Sequence, residues 1–162
     1  MGTLIGIARR SGRRAPMEER QSGLITRQAG LDGDSRGAKF VTRQITVLAR
    51  EDWEAALLDL SDLMGPPDLH WTTRRANLYV EGIRLPRAKG GVLQIGPVIL
   101  DITGQTNPCN RMEEARKGLL SALHPNWRGG VTCRVREGGE IALGDAVTII
   151  HAPAEHVIQL PQ

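Results

Sequence analysis

The sequence predicts a mainly β protein of the α+β class, with two or three helices, folded as a closed or strongly curved β-barrel. Short runs of alternating apolar residues recur along the 162-residue chain, and glycines separate most of them. Two segments with helical spacing interrupt this series, but they do not alternate with strands as βαβ units would. The length suits one domain, which we place at residues 1–152, followed by a C-terminal tail at 153–162.

The first third of the chain predicts strands and turns. Residues 3–8 predict a strand, and residues 9–16, with four arginines, predict a surface loop. A phosphate or nucleic acid would suit these arginines, but a short charge run is more typical of a solvated face. Residues 23–27 predict a second strand. The segment GLDGD at 30–34 predicts a turn, because glycine permits positive φ and Asp side chains bond nearby N–H groups.

The middle of the chain contains the clearest helical pattern. A strand at 44–49 leads into it, and its apolar face runs from Trp53 to Met64. The Gly-Pro-Pro sequence at 65–67 predicts its end. Further strands are predicted at 78–85, 92–95 and 97–103, with a tight turn at Gly96, and a hairpin at 131–136 and 140–149 around Gly138-Gly139.

Cys109 is the most informative residue, because only one other cysteine, Cys133, is present. Asn110 is expected to cap a helix and Glu113 to complete a capping box, with apolar residues recurring at helical spacing as far as Leu123. Cys109 would then lie at the positive end of a helix dipole, which favours a thiolate. A lone cysteine is also commonly a small buried residue, and both interpretations stay open. Cys133 alternates with valines in a strand, which predicts a core position.

Composition narrows the classes of function. The net charge of +3 permits an anionic ligand, but aromatic residues make up only 3% of the chain, which argues against nucleic-acid binding by base stacking. No apolar run approaches the roughly 18 residues of a membrane span, so we expect no membrane partner. Two cysteines and no signal-like start predict a cytoplasmic location. The four histidines lack the spacing of a zinc site.

The chain resembles the MOSC domain, which is named for the C-terminal part of molybdenum cofactor sulfurases. The resemblance rests on an ordered series of segments: GLDGD at 30–34, RQITVL at 43–48, RANL at 75–78 with GI at 82–83, PC at 108–109, GGV at 129–131 and GD at 144–145. It implies a β-barrel-like fold and a match of Cys109 to the family's cysteine. It also implies a link to the molybdenum cofactor, in which a pterin dithiolene carries the metal.

The resemblance further implies a set of site residues. A thiolate is a soft ligand, so Cys109 would supply one sulfur to molybdenum as the metal-binding and catalytic residue. Arg74, Arg75 and Arg111 are the nearest candidates for the cofactor's phosphate. Asn77, which matches a polar residue of the family, and Asn107 complete the predicted cofactor-binding set. Which of Arg74 and Arg75 faces the cleft stays open, because a slip of one residue in strand register exchanges their faces.

Two functions follow from the resemblance. The first is a molybdenum cofactor-binding protein that catalyses or supports two-electron reduction of an N-oxygenated small substrate. Two cysteines cannot hold an iron–sulfur cluster of the four-thiolate kind, so a separate reductase would supply electrons. The alternative is a sulfur carrier or cofactor-delivery protein with a persulfide on Cys109 and no substrate turnover. A binding module without a redox role is the third option.

Overall fold

The computed structural model describes residues 1–155, and within that range seven strands close into a ring. The strands are β1 (Gly2–Arg9), β2 (Glu18–Arg20), β3 (Ser22–Thr26), β4 (Gly30–Leu31), β5 (Ile45–Ala49), β6 (Leu78–Glu81), β7 (Val92–Ile95), β8 (Val98–Gln105), β9 (Val131–Glu137), β10 (Gly139–Ala142) and β11 (Ala146–His151). The helices are α1 (Arg50–Leu58), α2 (Asn110–Ala115) and α3 (Leu119–Leu123), with 3-10 turns at Val41–Arg43, Trp71–Arg74 and Pro125–Trp127.

The ring follows the order β11-β7-β8-β9-β5-β6-β1, and β1 pairs back onto β11. Gly2 faces Val147 and Thr3 faces Ala146 at this seam. Neighbouring strands of the ring are antiparallel apart from β5 and β6, which are parallel. β2 extends the sheet from β1, while β3, β4 and β10 form a separate three-stranded sheet. The predicted α+β composition and closed barrel are therefore confirmed.

Alternating side chains of the ring fill its interior, as the period of two in each strand requires. The interior cluster includes Leu4, Ile45, Val47, Leu78, Val80, Leu93, Leu100, Ile102 and Cys133. A second apolar cluster joins the helices to the outside of the ring and includes Trp53, Ala56, Trp71, Tyr79, Met112, Leu119 and Leu123. Trp71 and Tyr79 stack within it at a centroid distance of 4.9 Å. This layer fixes α2, and therefore the segment before it, against the barrel.

The predicted apolar face of the central helix is too long. α1 ends at Leu58, and the side chains of Leu63 and Met64 are exposed. The Asp62 carboxylate accepts a hydrogen bond from the Met64 N–H, and Asp62 and Gly65 bond each other's backbone. These local bonds favour a turn over a further helical turn.

The predicted hairpin around Gly138-Gly139 is wrong. β10 pairs with β3, and β11 pairs with β7 and β1. A Cβ at Gly138 would lie 2.3 Å from the Ile25 carbonyl oxygen, so the glycine allows the chain to pass close to β3. The hairpin of β7 and β8 around Gly96 is confirmed.

No helix among residues 1–155 is long and apolar enough to cross a membrane. Most of the predicted tail, residues 156–162, lies outside the described residues. At its start the Glu155 carboxylate accepts two hydrogen bonds from Arg84, at 2.7 and 2.8 Å. The boundary between domain and tail stays a prediction.

Candidate functional site

Cys109 lies between β8 and α2, and its side chain is exposed. It occupies the N-cap position of α2, with no side-chain cap bond, so the prediction of Asn110 as the cap is wrong. The capping box is also wrong, because Glu113 accepts hydrogen bonds from the N–H groups of Gly118 at 2.9 Å and Leu120 at 3.3 Å. Glu113 thereby satisfies the first turn of α3, and the predicted single helix is two short ones.

Cys109 lies on the wall of a cleft of about 500 Å³, here called the cationic cleft. Its wall includes eight arginines: Arg10, Arg13, Arg14, Arg36, Arg43, Arg74, Arg75 and Arg111. Asn107 and Cys109 also line it, and Glu114 is the one carboxylate among the described lining residues. The structure therefore brings together five of the six predicted site residues, and Asn77 is the exception.

The charges of this cleft are not neutralised within the protein. Other arginines form ion pairs with carboxylates: Arg9, Arg50, Arg84, Arg87, Arg128 and Arg136. None of the eight cleft arginines does so within 4.0 Å in the part of the chain that the structure describes. Concentrated charge of one sign in a concave site attracts ligands of the opposite sign. The cationic cleft is therefore electrostatically suited to an anionic ligand.

Arg74 supports the wall of the cleft from inside. It is only 6% exposed, and its guanidinium donates to the carbonyl oxygens of Gly129 at 3.1 Å and Thr106 at 2.9 Å. Burial lowers the pKa of Arg74 to about 10, so the group still carries its charge at neutral pH. Arg74 therefore holds the segment that leads to Cys109.

Arg75 also lines the cleft, although it is next to Arg74 in sequence. The two residues do not alternate along a strand, because Arg74 ends a 3-10 turn and Arg75 has a left-handed backbone with φ of 65°. The Arg75 Nη2 donates to the Ala15 carbonyl oxygen at 2.6 Å. Burial, together with the charges of Arg111 and Arg10, lowers the pKa of Arg75 to about 10. Both arginines thus face the cleft.

Asp34 positions two further cleft arginines through their backbone. Its carboxylate accepts hydrogen bonds from the N–H groups of Arg10 at 3.0 Å and Arg36 at 3.3 Å. Burial raises the pKa of Asp34. The solvated loop predicted for residues 9–16 is wrong for Arg10, which is 6% exposed. Sequence reasoning missed the part that Arg10 and Arg36 have in the cleft. The signals that could have indicated it are the four arginines of the 9–16 loop and the GLDGD segment.

Asn77 is buried and does not line the cationic cleft, although its bonding partner Thr46 and its neighbour Ala76 do. Its Oδ1 accepts from the Thr46 N–H at 3.0 Å and from the Thr46 hydroxyl at 3.2 Å, and its Nδ2 donates to the Ala8 carbonyl oxygen at 3.3 Å. The side chain thus ties β5 to β1. Its predicted contact with a ligand stays a prediction. Cys133 is fully buried, which raises the pKa of its thiol and confirms the predicted core position.

Two buried polar atoms on residues of the cleft wall have no hydrogen-bond partner within residues 1–155. They are the Oγ1 of Thr106, a residue that is 7% exposed, and the Nε of Arg75. Native proteins pair nearly all such groups, so these two atoms suit a polar ligand bound in the cleft. These atoms, the arginines and the thiol of Cys109 fit a ligand with an anionic group and a soft metal.

The fold and the site define a class: a closed β-barrel protein that presents an exposed thiol on the wall of an arginine-lined cleft. The family model of the MOSC domain matches residues 32–148. The chain therefore belongs to the MOSC domain family, which is associated with the molybdenum cofactor.

Solved structures share this fold. The YuaD protein from Bacillus subtilis matches with a TM-score of 0.68 and 19% identity, over 91% of this chain and 94% of that one. YiiM from Geobacillus stearothermophilus has a TM-score of 0.69 and 12% identity, over 93% and 76% of the two chains. YiiM from Escherichia coli has a TM-score of 0.65 and 12% identity, over 94% and 72%. No curated protein sequence gives a match.

Proposed function

We propose that this protein binds the molybdenum cofactor in the cationic cleft, with Cys109 as a ligand to the metal, and supports two-electron reduction of N-oxygenated small substrates. One observation carries the proposal: the exposed thiol of Cys109 lies on the wall of a cleft whose eight arginines form no ion pair within the described chain. Membership of a family associated with this cofactor supports the same proposal.

The residues of the cleft have different parts in binding. Arg74 is engaged with main-chain carbonyls and supports the wall, whereas Arg10, Arg75 and Arg111 offer guanidinium groups to the cofactor's phosphate. The Thr106 hydroxyl and the Arg75 Nε offer donors that have no partner among residues 1–155. Asn107 lies on the same wall as Cys109 and is placed to bond the pterin or the substrate.

The bound cofactor would supply a metal centre that accepts and donates two electrons. The overall reaction combines an N-hydroxylated compound with two electrons and two protons, and it yields the corresponding amine or amidine and water. This chain would contribute the Cys109 sulfur as a ligand to the metal, while arginines of the cationic cleft would bind the anionic phosphate of the cofactor. A separate reductase supplies the electrons. Small N-hydroxylated molecules are the substrate class.

Metal analysis of the purified protein tests the proposal. The protein would be produced in cells that make the cofactor, and molybdenum and pterin per chain would be measured in the wild type, in Cys109→Ala and in Cys133→Ala. We expect about one molybdenum and one pterin per wild-type chain, loss of the metal in Cys109→Ala, and retention in Cys133→Ala. Equal loading of wild type and Cys109→Ala would overturn the assignment of the ligand.

The exposure of Cys109 also suits a second function, that of a sulfur carrier. A persulfide on an exposed sulfur can pass its outer sulfur to another thiol, and nearby guanidinium groups would stabilise its negative charge. Cyanide releases such a sulfur as thiocyanate, which can be measured in the same preparations. Metal-free protein with cyanide-releasable sulfur that depends on Cys109 would establish this function in place of the first. Protein with neither would indicate a binding module.

A further inference from the structure

Cys109 lies on the walls of two clefts at once. Besides the cationic cleft, a larger cleft of about 860 Å³, here called the second cleft, is lined by Cys109, Asn107 and Arg43, the three residues that both clefts share. A group held by the Cys109 sulfur in one cleft is therefore next to whatever occupies the other. Apart from the three shared residues, the second cleft is built from different segments of the chain.

The floor of the second cleft is the outer face of the β8 and β9 pair. Along β8, Asp101 and Thr103 alternate with the buried Leu100 and Ile102, and along β9 the exposed Arg134 lies between the buried Cys133 and Val135. Gln105 and the buried Thr132 also line this cleft. Thr103 Oγ1 bonds Thr132 Oγ1 at 2.8 Å and also bonds the Thr42 carbonyl oxygen, which fixes the turn that carries Arg43. The floor is thus rigid and polar.

One end of this cleft carries uncompensated positive charge. Arg134 on β9 is paired with Asp101 on β8. Backbone hydrogen bonds join Ile102, the next residue of β8, to Gly90 and Gly91, so the adjacent Lys89 lies near the same end of the cleft. Neither cation forms an ion pair within residues 1–155. Asp101 does not neutralise them, because Arg136 binds its carboxylate through two nitrogens, at 2.5 and 3.2 Å.

The other end of the cleft leads to Cys109. Gly104 faces Thr132, three residues along β8 from Asp101, which corresponds to about 10 Å of strand. A Cβ at Gly104 would meet nothing closer than the Thr132 hydroxyl at 3.8 Å, so the absent side chain leaves open space at this end. From there the chain continues through Asn107 to Cys109.

We propose that the second cleft is the substrate site and that its ligand is a small organic anion, with its anionic group on Lys89 and Arg134 and its reactive end beside Cys109. The inference rests on the proposed function only in taking the N-oxygenated group as the reactive end. It names a substrate class, that of N-oxygenated compounds with a distal carboxylate or phosphate.

Calorimetric titration with two probes that differ only in one charge tests this. The probes are benzamidoxime and its 4-carboxylate derivative, titrated into the full chain both as purified and from cells that cannot make the cofactor. We expect the carboxylate probe to bind about tenfold more tightly than benzamidoxime. Lys89→Glu and Arg134→Glu should each remove most of this preference and leave benzamidoxime affinity within about twofold.

Three control variants locate the binding. Lys117→Glu, at an exposed lysine that lines neither cleft, and Arg14→Glu, in the cationic cleft only, should keep the preference. Gly104→Leu should weaken both probes, because the new side chain extends into the second cleft, and circular dichroism checks that it folds. The proposal would be overturned if Arg14→Glu lost the preference for the carboxylate probe and Lys89→Glu kept it. Equal losses of this preference in the two variants would also overturn it, as would a failure of the wild-type protein to bind either probe. These outcomes are independent of metal content, so failure here is distinct from failure of the proposed function.

Discussion

Arg74 donates a hydrogen bond of 2.9 Å to the carbonyl oxygen of Thr106, three residues before Cys109. This bond joins the turn before β6 to the end of β8, and a second bond, to Gly129, extends the link to the start of β9. Three distant parts of the chain thus meet at one buried guanidinium. The position of the Cys109 segment therefore depends on a residue that does not need to touch a ligand.

We predict that Arg74→Met destabilises the protein by about 2–4 kcal/mol, because it leaves the Thr106 and Gly129 carbonyl oxygens buried without a donor. Urea unfolding followed by tryptophan fluorescence measures the free energy of unfolding. Arg116→Met, at an exposed residue, is the control and should change it by less than about 0.5 kcal/mol. An unchanged free energy of unfolding in Arg74→Met would contradict the supporting role.

Asn77→Ala should cost about 2–3 kcal/mol of unfolding free energy, since it breaks the buried bonds to Thr46 and Ala8. Asn107→Ala, at an exposed residue of the cleft wall, should cost little. Thermal unfolding of both variants provides the comparison. If Asn77→Ala instead unfolds like the wild type and lowers only molybdenum content, then direct contact with the cofactor is the better explanation.

Asp34→Ala should weaken anion binding, because the backbones of Arg10 and Arg36 lose the carboxylate that holds them. Inorganic phosphate should raise the Tm of the wild-type protein, as any ligand of the folded state does. The increase should be smaller in Asp34→Ala. Asp32→Ala, in the same turn but at an exposed residue, should respond like the wild type. Equal phosphate responses in all three proteins would rule out a positioning role for Asp34.

Glu113→Ala should destabilise the protein by about 1 kcal/mol, the usual cost of losing a helix cap. The reason is that its carboxylate accepts from the Gly118 and Leu120 N–H groups at the start of α3. Glu114→Ala, at the neighbouring exposed residue, is the matched control. Chemical denaturation measures the free energy of unfolding of the two variants. Equal values would show that the cap does not stabilise the protein.

The lowered pKa of Glu155 predicts that the stability of the protein depends on pH. The hydrogen bonds from Arg84 to the Glu155 carboxylate lower its pKa to about 2 from an ordinary value of 4.5. The folded state therefore favours the charged form, so this pair stabilises the fold above pH 4.5 and the contribution disappears as the pH falls towards 2. The stability difference between wild type and Glu155→Gln should accordingly be present at pH 7 and absent near pH 2. A difference that does not change with pH would contradict this assignment.

The fold was largely predictable because the alternation of apolar residues in strands such as β5 and β8 is a local signal. The pairing of strands was not, since Gly138-Gly139 has the local pattern of a hairpin while β10 finds its partner in β3. The position at which α1 ends was also predicted wrongly from a local pattern. Apolar residues such as Leu63 continue the helical spacing, but bonds of Asp62 favour a turn.

The site was predictable where a motif marks it and not elsewhere. Arg75 lies in a segment that the family resemblance identifies, Arg74 and Arg111 lie within two residues of such segments, and all three line the cleft. Arg10 lies far from these segments in sequence, and Arg36, two residues after the GLDGD segment, has no motif of its own. A charge run alone is more typical of a solvated face, and only the folded chain shows that Asp34 turns both loops towards Cys109.

The seam between β1 and β11 has a consequence for how the molecule forms. Gly2 and Thr3 find their partners in Val147 and Ala146, near the other end of the described chain. Contacts between such distant segments carry the largest loop-closure entropy and form slowly. The growing polypeptide on the ribosome cannot close its ring until β11 has been synthesised, so the start of β1 at Gly2 and Thr3 lacks its partner strand through most of translation.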